Sequence, residues 1–178
     1  AYDDDLIRQL DSSGNLVNEW EGVLEGPIRD IIEYNNEVLF ATESGIGRYD
    51  PYVTISTPSG TTTGDWLETW TPANGGMNSS SEPVVTDLHV FTNSNGDVEL
   101  WYASGIRQSG SSGGGIQPSI NRVTDDVNGD GIVNGSDHEH WETGWTTGIP
   151  AGDVWQMVVC SDYLHVAVRW NGQFGFGG

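Results

Sequence analysis

The chain contains no lysine, and its only strongly basic side chains are six arginines. Against them stand 26 acidic residues, which give a formal net charge of −20 at pH 7. Such a surface repels nucleic-acid phosphates and anionic lipid headgroups, so we expect neither kind of partner. It suits a saline or calcium-rich medium, in which counterions screen the repulsion between carboxylates. An ordinary acidic secreted protein would show the same imbalance.

Cysteine is also nearly absent. The single Cys160 excludes an internal disulfide, and its place in the apolar run "VWQMVVCSDYLHVAV" predicts a small buried side chain. No apolar run is long enough for a membrane-spanning helix, so we expect no membrane insertion. The first residues, "AYDDDLIRQL", are not a signal peptide, which suggests that a leader was removed or that the chain is an excised piece.

The sequence is rich in large aromatic side chains and in residues that form turns. It has eight Trp, six Tyr, four Phe and 25 Gly, although only 35% of its residues are hydrophobic. Large aromatic side chains supply apolar area from few residues, and frequent glycine indicates many tight turns between short elements. This composition favours an all-β protein.

Four kinds of strand-like segment recur in a fixed order along the chain. The first kind carries an arginine, the second ends near a tryptophan, the third follows a Gly- or Pro-containing connector, and the fourth is apolar. The segments are 6–12, 45–51 and 119–125 (first kind), 16–22, 66–72 and 140–146 (second), 28–36, 85–93 and 154–162 (third), and 37–44, 98–105 and 163–170 (fourth). Period-two alternation and bounding turn residues predict that each of them is a β-strand.

We therefore predict one β-propeller-like domain over residues 1–178, with tandem repeats at about 6–44, 45–105 and 119–170 and the start of a fourth at 172–178. Three inserts lengthen the repeats. Two are rich in Ser, Thr and Gly, at 52–64 and 106–118, and are expected on the surface. The third, at 125–139, contains a metal-binding pattern.

Tandem units of four short antiparallel strands are typical of β-propellers. The segment "VLFATESGIGRYDP", Val38 to Pro51, resembles the repeats of sensor-type propellers. Closed propellers have at least about four blades, and only three repeats are visible here. The chain is thus expected to be part of a larger propeller or to close by association. A twisted three-sheet or sandwich domain is the alternative.

The insert contains the twelve-residue run "DVNGDGIVNGSD", which fits a calcium-binding loop. Oxygen ligands are expected at positions 1, 3, 5, 7, 9 and 12, and a sharp turn at Gly131. The predicted ligands are Asp126, Asn128, Asp130, Ile132 through its backbone carbonyl, Asn134 directly or through water, and Asp137. Because all of these donors are hard oxygens, calcium is the expected cofactor.

Aspartate at the last position makes this run similar to the dockerin-type loops of secreted bacterial and archaeal proteins. Dockerin modules carry two such loops in tandem, whereas this sequence has one, so cohesin binding is not implied. The loop lies between a first-kind and a second-kind strand, where the first repeat needs only a short turn. We expect calcium to hold this enlarged turn in place. A calcium-dependent contact with a glycan or a protein ligand is the alternative.

Several weaker patterns carry further expectations. Arg8, Arg48 and Arg122 are expected to pair with the nearby carboxylates Asp11, Asp50 and Asp125, and Trp20, Trp70 and Trp145 to pack between sheets. The run "HEH" at 138–140 allows a transition-metal site but offers no third ligand nearby in sequence. Asn78, in "NSS", is a candidate for N-glycosylation.

No familiar catalytic motif is present, so we lean away from an enzyme. The first hypothesis is a calcium-stabilised extracellular or cell-surface β-propeller segment with a binding or structural role. The second is a self-assembling surface or filament subunit, in which neighbouring copies, or the remainder of a longer chain, complete the sheet edges. The third is a propeller-type lyase or glycosidase, which needs two carboxylates about 5–10 Å apart in a pocket.

Overall fold

The fold is taken from a computed structural model of the chain. It describes residues 6–58, 60–79, 81, 83–105, 119–123, 135–142, 153–160 and 163–169. Within these ranges all regular structure is β-strand, and no helix is present. That part of the chain accordingly contains no helix long and apolar enough to cross a membrane. The predicted all-β class is confirmed.

Twelve strands form four antiparallel sheets. The strands are β1 Leu6–Leu10, β2 Leu16–Glu21, β3 Asp30–Tyr34, β4 Glu37–Ala41, β5 Ile46–Thr57, β6 Gly60–Trp70, β7 Val85–Thr92, β8 Val98–Ser104, β9 Ser119–Val123, β10 His138–Glu142, β11 Asp153–Cys160 and β12 Tyr163–Arg169. Two complete sheets have the orders β3-β4-β5-β6 and β10-β9-β8-β7, and two half-sheets are β1-β2 and β11-β12.

Each strand overlaps a segment in which the alternation of side chains predicts one, although β10 begins at His138, two residues before the predicted segment and inside the predicted insert. The turn between β3 and β4 is formed by Asn35 and Asn36, whose φ angles of 49° and 65° are those that Asn tolerates best after Gly. The surface insert predicted at 52–64 is wrong in one respect. Its residues extend β5 and β6 into a long hairpin, with Thr54 paired to Thr63, because β-branched threonines favour the extended backbone.

Both complete sheets begin with a third-kind strand and end with a second-kind strand. The half-sheet β1-β2 consists of a first-kind and a second-kind strand, and β11-β12 of a third-kind and a fourth-kind strand. The limits of the repeats, including the start of a fourth at 172–178, stay a prediction.

A repeated hydrogen bond joins the first strands of neighbouring sheets. Asp30 Oδ2 accepts the backbone N–H of Leu88 at 2.9 Å, which connects β3 to β7. Asp87 Oδ2 accepts the N–H of Met157 at 2.6 Å, which connects β7 to β11. Both aspartates pair with an alanine of the following strand, so they occupy the same place in their sheets. We call these contacts the first joint and the second joint.

Apolar cores fill the spaces between the sheets. The cluster at the first joint contains Tyr34, Leu39, Ala41, Ile46, Met77, Val85, Leu88, Leu100, Tyr102 and Val123. The cluster at the second joint contains Ala103, Ile120, Val154 and Met157. A third cluster lies between β1-β2 and the sheet β3–β6, where Trp20 contacts Tyr49 and Trp66 with ring centroids 5.0 and 5.7 Å apart. Trp20 packs between sheets, as expected.

The arginines of the first-kind strands bind glutamates on neighbouring strands. Arg48 forms two hydrogen bonds of 2.7 Å with Glu37. Arg122 contacts Glu99 at 3.2 Å and Glu139 at 2.6 Å. Side chains on one face of adjacent antiparallel strands lie within reach of each other, which explains these pairs.

The aspartate partners predicted for Arg8 and Arg48 are therefore wrong, whereas the pairing of Arg122 with Asp125 stays a prediction. Arg8 contacts Glu19 at 2.7 Å, across β1 and β2. Asp11 instead accepts backbone N–H groups in the turn that follows it, and Asp50 accepts those of Tyr52 and Val53 at an irregular position within β5. Their short side chains reach the local backbone more readily than an arginine farther along the strand. Asp125 lies outside the described residues.

The expectation of a buried Cys160 is also wrong, because this residue is exposed at the end of β11. It shares a strand face with Val158, which is exposed too. Within the described ranges β11-β12 has a neighbouring sheet on one side only. An apolar residue on the other side is therefore in contact with solvent.

Candidate functional site

The structure describes the end of the predicted calcium loop. Asp126, Asn128, Asp130, Ile132 and Asn134 lie outside the described residues, so their role as ligands stays a prediction. Asp137, the last ligand in the pattern, is described and is 2% exposed. Among the described residues no group of three or more His, Cys, Asp or Glu side chains could hold a metal ion.

The residues just before Asp137 lie against the connector between β6 and β7. The backbone N–H of Gly135 donates to the carbonyl of Gly75 at 2.7 Å. A Cβ atom at position 135 would clash with the backbone carbonyl of Met77, so the approach requires glycine. The loop thus ends on the segment that links the two complete sheets.

The connector is ordered by its own hydrogen bonds. The side chain of Asn74 accepts the N–H groups of Thr71 and Gly76, both at 3.0 Å, and the Thr71 hydroxyl accepts the N–H of Asn74 at 3.1 Å. The N–H of Met77 donates to the carbonyl of Thr71 at 3.1 Å. These side-chain caps form a compact turn, on which the end of the calcium loop lies.

His138, next to Asp137, is buried and contacts both complete sheets. Its Nδ1 lies 3.0 Å from the Tyr102 hydroxyl, and its carbonyl accepts a hydrogen bond from Asn78 Nδ2 at 3.1 Å. Its ring packs edge-on against Trp70, with centroids 6.1 Å apart. Trp70 belongs to β6 and Tyr102 to β8, so His138 lies where the connector and the two sheets meet.

The surroundings favour a neutral imidazole. Desolvation lowers the pKa of His138 to about 4, although the Asp137 charge acts in the opposite direction. Burial raises the pKa of Tyr102 to about 12, so this phenol keeps its proton. The Tyr102 hydroxyl accepts the N–H of Asn78 at 3.4 Å and lies within hydrogen-bonding distance of Nδ1 of His138. The other ring nitrogen of His138, Nε2, is buried and has no hydrogen-bond partner among the described residues.

The "HEH" run is part of strand β10. His138 and His140 are therefore both strand residues. The ring of His138 is held by Tyr102 in the apolar core. A transition-metal site at this run stays a hypothesis without a third ligand among the described residues.

A buried polar network anchors the far end of the connector. Ser81 donates to Asn121 Oδ1 at 2.8 Å, and Asn121 Nδ2 donates to the hydroxyls of Ser104 and Ser119, each at 3.2 Å. The two serine hydroxyls are 2.7 Å apart. Buried polar groups that satisfy one another in this way fix a single arrangement of the strands that carry them. No sequence pattern indicated this network.

The joint aspartates were also missed. Asp30 and Asp87 occupy the third position of two third-kind segments, "IRDIIEYNN" and "VTDLHVFTN". Aligning the repeats residue by residue would have shown an aspartate at the same position in two third-kind strands. That signal identifies Asp30 and Asp87 but gives no partner for either residue.

Asn78 has a defined place beside the loop end. It is half-buried, and Nδ2, the atom to which an N-linked glycan is attached, donates to the carbonyl of His138. Its glycosylation stays a prediction.

A shallow cavity of about 450 Å³ lies beside the β3–β4 turn. Its carboxylates accept hydrogen bonds from other groups of the protein. Glu37 and Asp50 line this cavity together with Tyr52. Glu37 is bound by Arg48, and Asp50 accepts two backbone N–H groups. These two groups therefore act as structural acceptors.

Comparison with models of known protein families, with curated proteins and with solved structures gives no match to this chain.

Proposed function

We propose that this chain is a calcium-stabilised segment of an extracellular or cell-surface β-propeller, with a binding or structural role. The strand order of the two complete sheets supports the propeller type, because each is a meander of four antiparallel strands. The repeated joint supports it further, since the first strands of successive sheets are connected in the same way by Asp30 and by Asp87.

The position of the loop end carries the calcium part of the proposal. Gly135 is bonded to the connector and Asp137 is buried beside it, so the chain on both sides of the last predicted ligand is fixed. A carboxylate that leaves water needs a compensating charge or hydrogen bonds. Calcium supplies positive charge to Asp137 and to the other carboxylates of the pattern, Asp126 and Asp130. Closing the loop around the ion would then stabilise the first joint.

A calcium titration tests this proposal. At a free calcium concentration one hundred times the dissociation constant, we expect unfolding to cost about 2.7 kcal/mol more than in the presence of a chelator. The double variant Asp126→Asn, Asp130→Asn should lose this response, because two of the three charged ligands are gone. Asp65→Asn, at an exposed residue of β6, is the matched control and should keep it.

Isothermal titration calorimetry and urea denaturation provide the two measurements. Binding of calcium to the double variant with unchanged affinity would contradict the ligand assignment. Binding without a gain in stability would contradict the structural role.

A further inference from the structure

The two half-sheets contain complementary halves of one four-strand unit. In both complete sheets a fourth-kind strand pairs with a first-kind strand, as β4 does with β5 and β8 with β9. Among the described residues β12 is a fourth-kind strand without such a neighbour, and β1 is a first-kind strand without one. The half-sheet β1-β2 therefore lacks a third-kind and a fourth-kind strand, and β11-β12 consists of these two kinds.

One strand position differs in exposure between the third-kind strands. It is occupied by Ile31 in β3, Leu88 in β7 and Met157 in β11. Leu88 and Met157 are 2% and 3% exposed, because β3 covers the first and β7 covers the second. Ile31 has the same place in β3 and is 53% exposed. No described strand covers β3 on that side. The half of a joint that donates the backbone N–H is thus open at Ile31.

The half of a joint that accepts the N–H is open on β11. Gln156 occupies the place of Asp87, since both pair with an alanine and both follow the bulged residue of their strand. Beside Gln156, Trp155 and Val158 are 53% and 52% exposed. Thr86, which corresponds to Trp155, is buried against β11 and donates to its backbone. The exposed apolar side chains of β3 and β11 thus mark two complementary surfaces.

We propose that these surfaces meet in a dimer of this chain, in which β11-β12 of one copy joins β1-β2 of the other and lies against its β3. The combined sheet β11-β12-β1-β2 has the same order of strand kinds as the complete sheets. Two copies then hold six four-stranded sheets, a number within the range of closed propellers, whereas three sheets are too few. The inference rests on the propeller arrangement proposed above.

The equivalent strands predict the contacts of the dimer. Leu39 is opposite Arg48 and Trp101 is opposite Arg122, so His165 of β12 should be opposite Arg8 of the other copy. The N–H of Ile31, which is bonded to Asp30 Oδ1 at 2.9 Å, would gain the side-chain carbonyl of Gln156 as its acceptor. An amide can accept this bond without the desolvation of a charge.

Sedimentation equilibrium tests the dimer. We expect a mass twice the 19.3 kDa of one chain at about 100 µM protein, and a shift toward dimer with added salt, because two copies of net charge −20 repel each other. Ile31→Asp should give a monomer with an unchanged far-ultraviolet circular dichroism spectrum. Val98→Asp, at an equally exposed apolar residue of β8, is the control and should remain dimeric.

Cysteine cross-linking tests the register. In a Cys160→Ser background, mixing Arg8→Cys protein with His165→Cys protein should yield a disulfide-linked pair, because directly opposed strand residues have the required spacing. Gln9→Cys in place of Arg8→Cys should not cross-link. A chain that stays monomeric at high salt and forms no cross-link would overturn the dimer. If that monomer still gains stability from calcium, the proposed calcium role stands, and the two failures are distinguishable.

Discussion

The two joints between neighbouring sheets place the same kinds of residue in different surroundings. At the first joint Ala41, Ile46, Val85 and Leu88 are buried, and at the second joint Ala103, Ile120, Val154 and Met157 take the corresponding places. Each joint also has its aspartate-to-backbone hydrogen bond. The same packing arrangement thus occurs at both joints.

The joints differ in what surrounds these shared residues. The first cluster extends to Met77 of the connector and to Tyr102, which holds His138 at the end of the calcium loop. The second cluster is smaller, but its aspartate is more buried. Asp30 is half-exposed, whereas burial raises the pKa of Asp87 to about 6, with the nearby charge of Asp30 adding to the effect and the Met157 N–H opposing it. The carboxylate of the second joint is therefore desolvated, whereas that of the first joint is half-exposed.

Truncating the apolar residue of each joint should have the largest effect. Leu88→Ala is expected to lower the free energy of unfolding by about 3 kcal/mol, and Met157→Ala by about 2 kcal/mol, since the smaller cluster can relax around the lost volume. Urea denaturation followed by tryptophan fluorescence measures both. Ile31→Ala, at the equivalent position, which is exposed in a single copy, should cost much less at protein concentrations at which the chain is monomeric. Equal losses of unfolding free energy in Leu88→Ala and Ile31→Ala would contradict the difference in burial between these two positions.

The second joint should depend on pH. The folded-state pKa of Asp87, about 6, lies above the ordinary value of 3.8, so the folded chain binds this proton more tightly than the unfolded chain. The contribution to stability is complete below pH 3.8 and is lost as the pH rises through about 6. The difference corresponds to roughly 3 kcal/mol at most. Denaturation midpoints between pH 4 and 7 measure it.

The variant Asp87→Asn isolates this effect. Its amide oxygen can still accept the N–H of Met157 but has no charge to desolvate, so it should be at least as stable as the original chain at pH 7. Its stability should also change less between pH 4 and 6. Asp65→Asn, at an exposed residue of β6 that does not contribute to the pKa of Asp87, is the control and should keep the pH dependence. A profile that is unchanged by Asp87→Asn would contradict the assignment.

The sequence predicts the strands of this fold better than their partners. Alternating side chains and turn residues located every described strand, because these signals are local. The carboxylate that an arginine binds depends on the register between neighbouring strands. The prediction that Arg48 pairs with Asp50 used only their closeness in sequence, and it was wrong. The exposure of Cys160 depends on which sheet covers β11, a property of the assembled molecule that its apolar neighbours in sequence do not encode.

The predicted calcium loop shows the same division between local and distant information. Its predicted ligand pattern is visible in twelve consecutive residues, since calcium loops of this type take their ligands from one short segment. That the loop would end on the connector between two sheets was not visible. The contacts of Gly135 with Gly75 and of Asn78 with His138 join residues 60 positions apart in each case, and both have a backbone carbonyl as the acceptor, which leaves no sequence signature.

The contact of Asn78 with His138 allows the smallest of these tests, because among the described residues it has no counterpart at the second joint. Asn78→Ala leaves the His138 carbonyl without this donor and should lower the free energy of unfolding by about 1 kcal/mol. Asn95→Ala, in the exposed turn between β7 and β8, is the control and should have no measurable effect. Because His138 follows the last predicted calcium ligand, Asn78→Ala should also weaken calcium binding in calorimetry. Unchanged calcium affinity in a destabilised variant would mean that the loop end and the connector are not coupled.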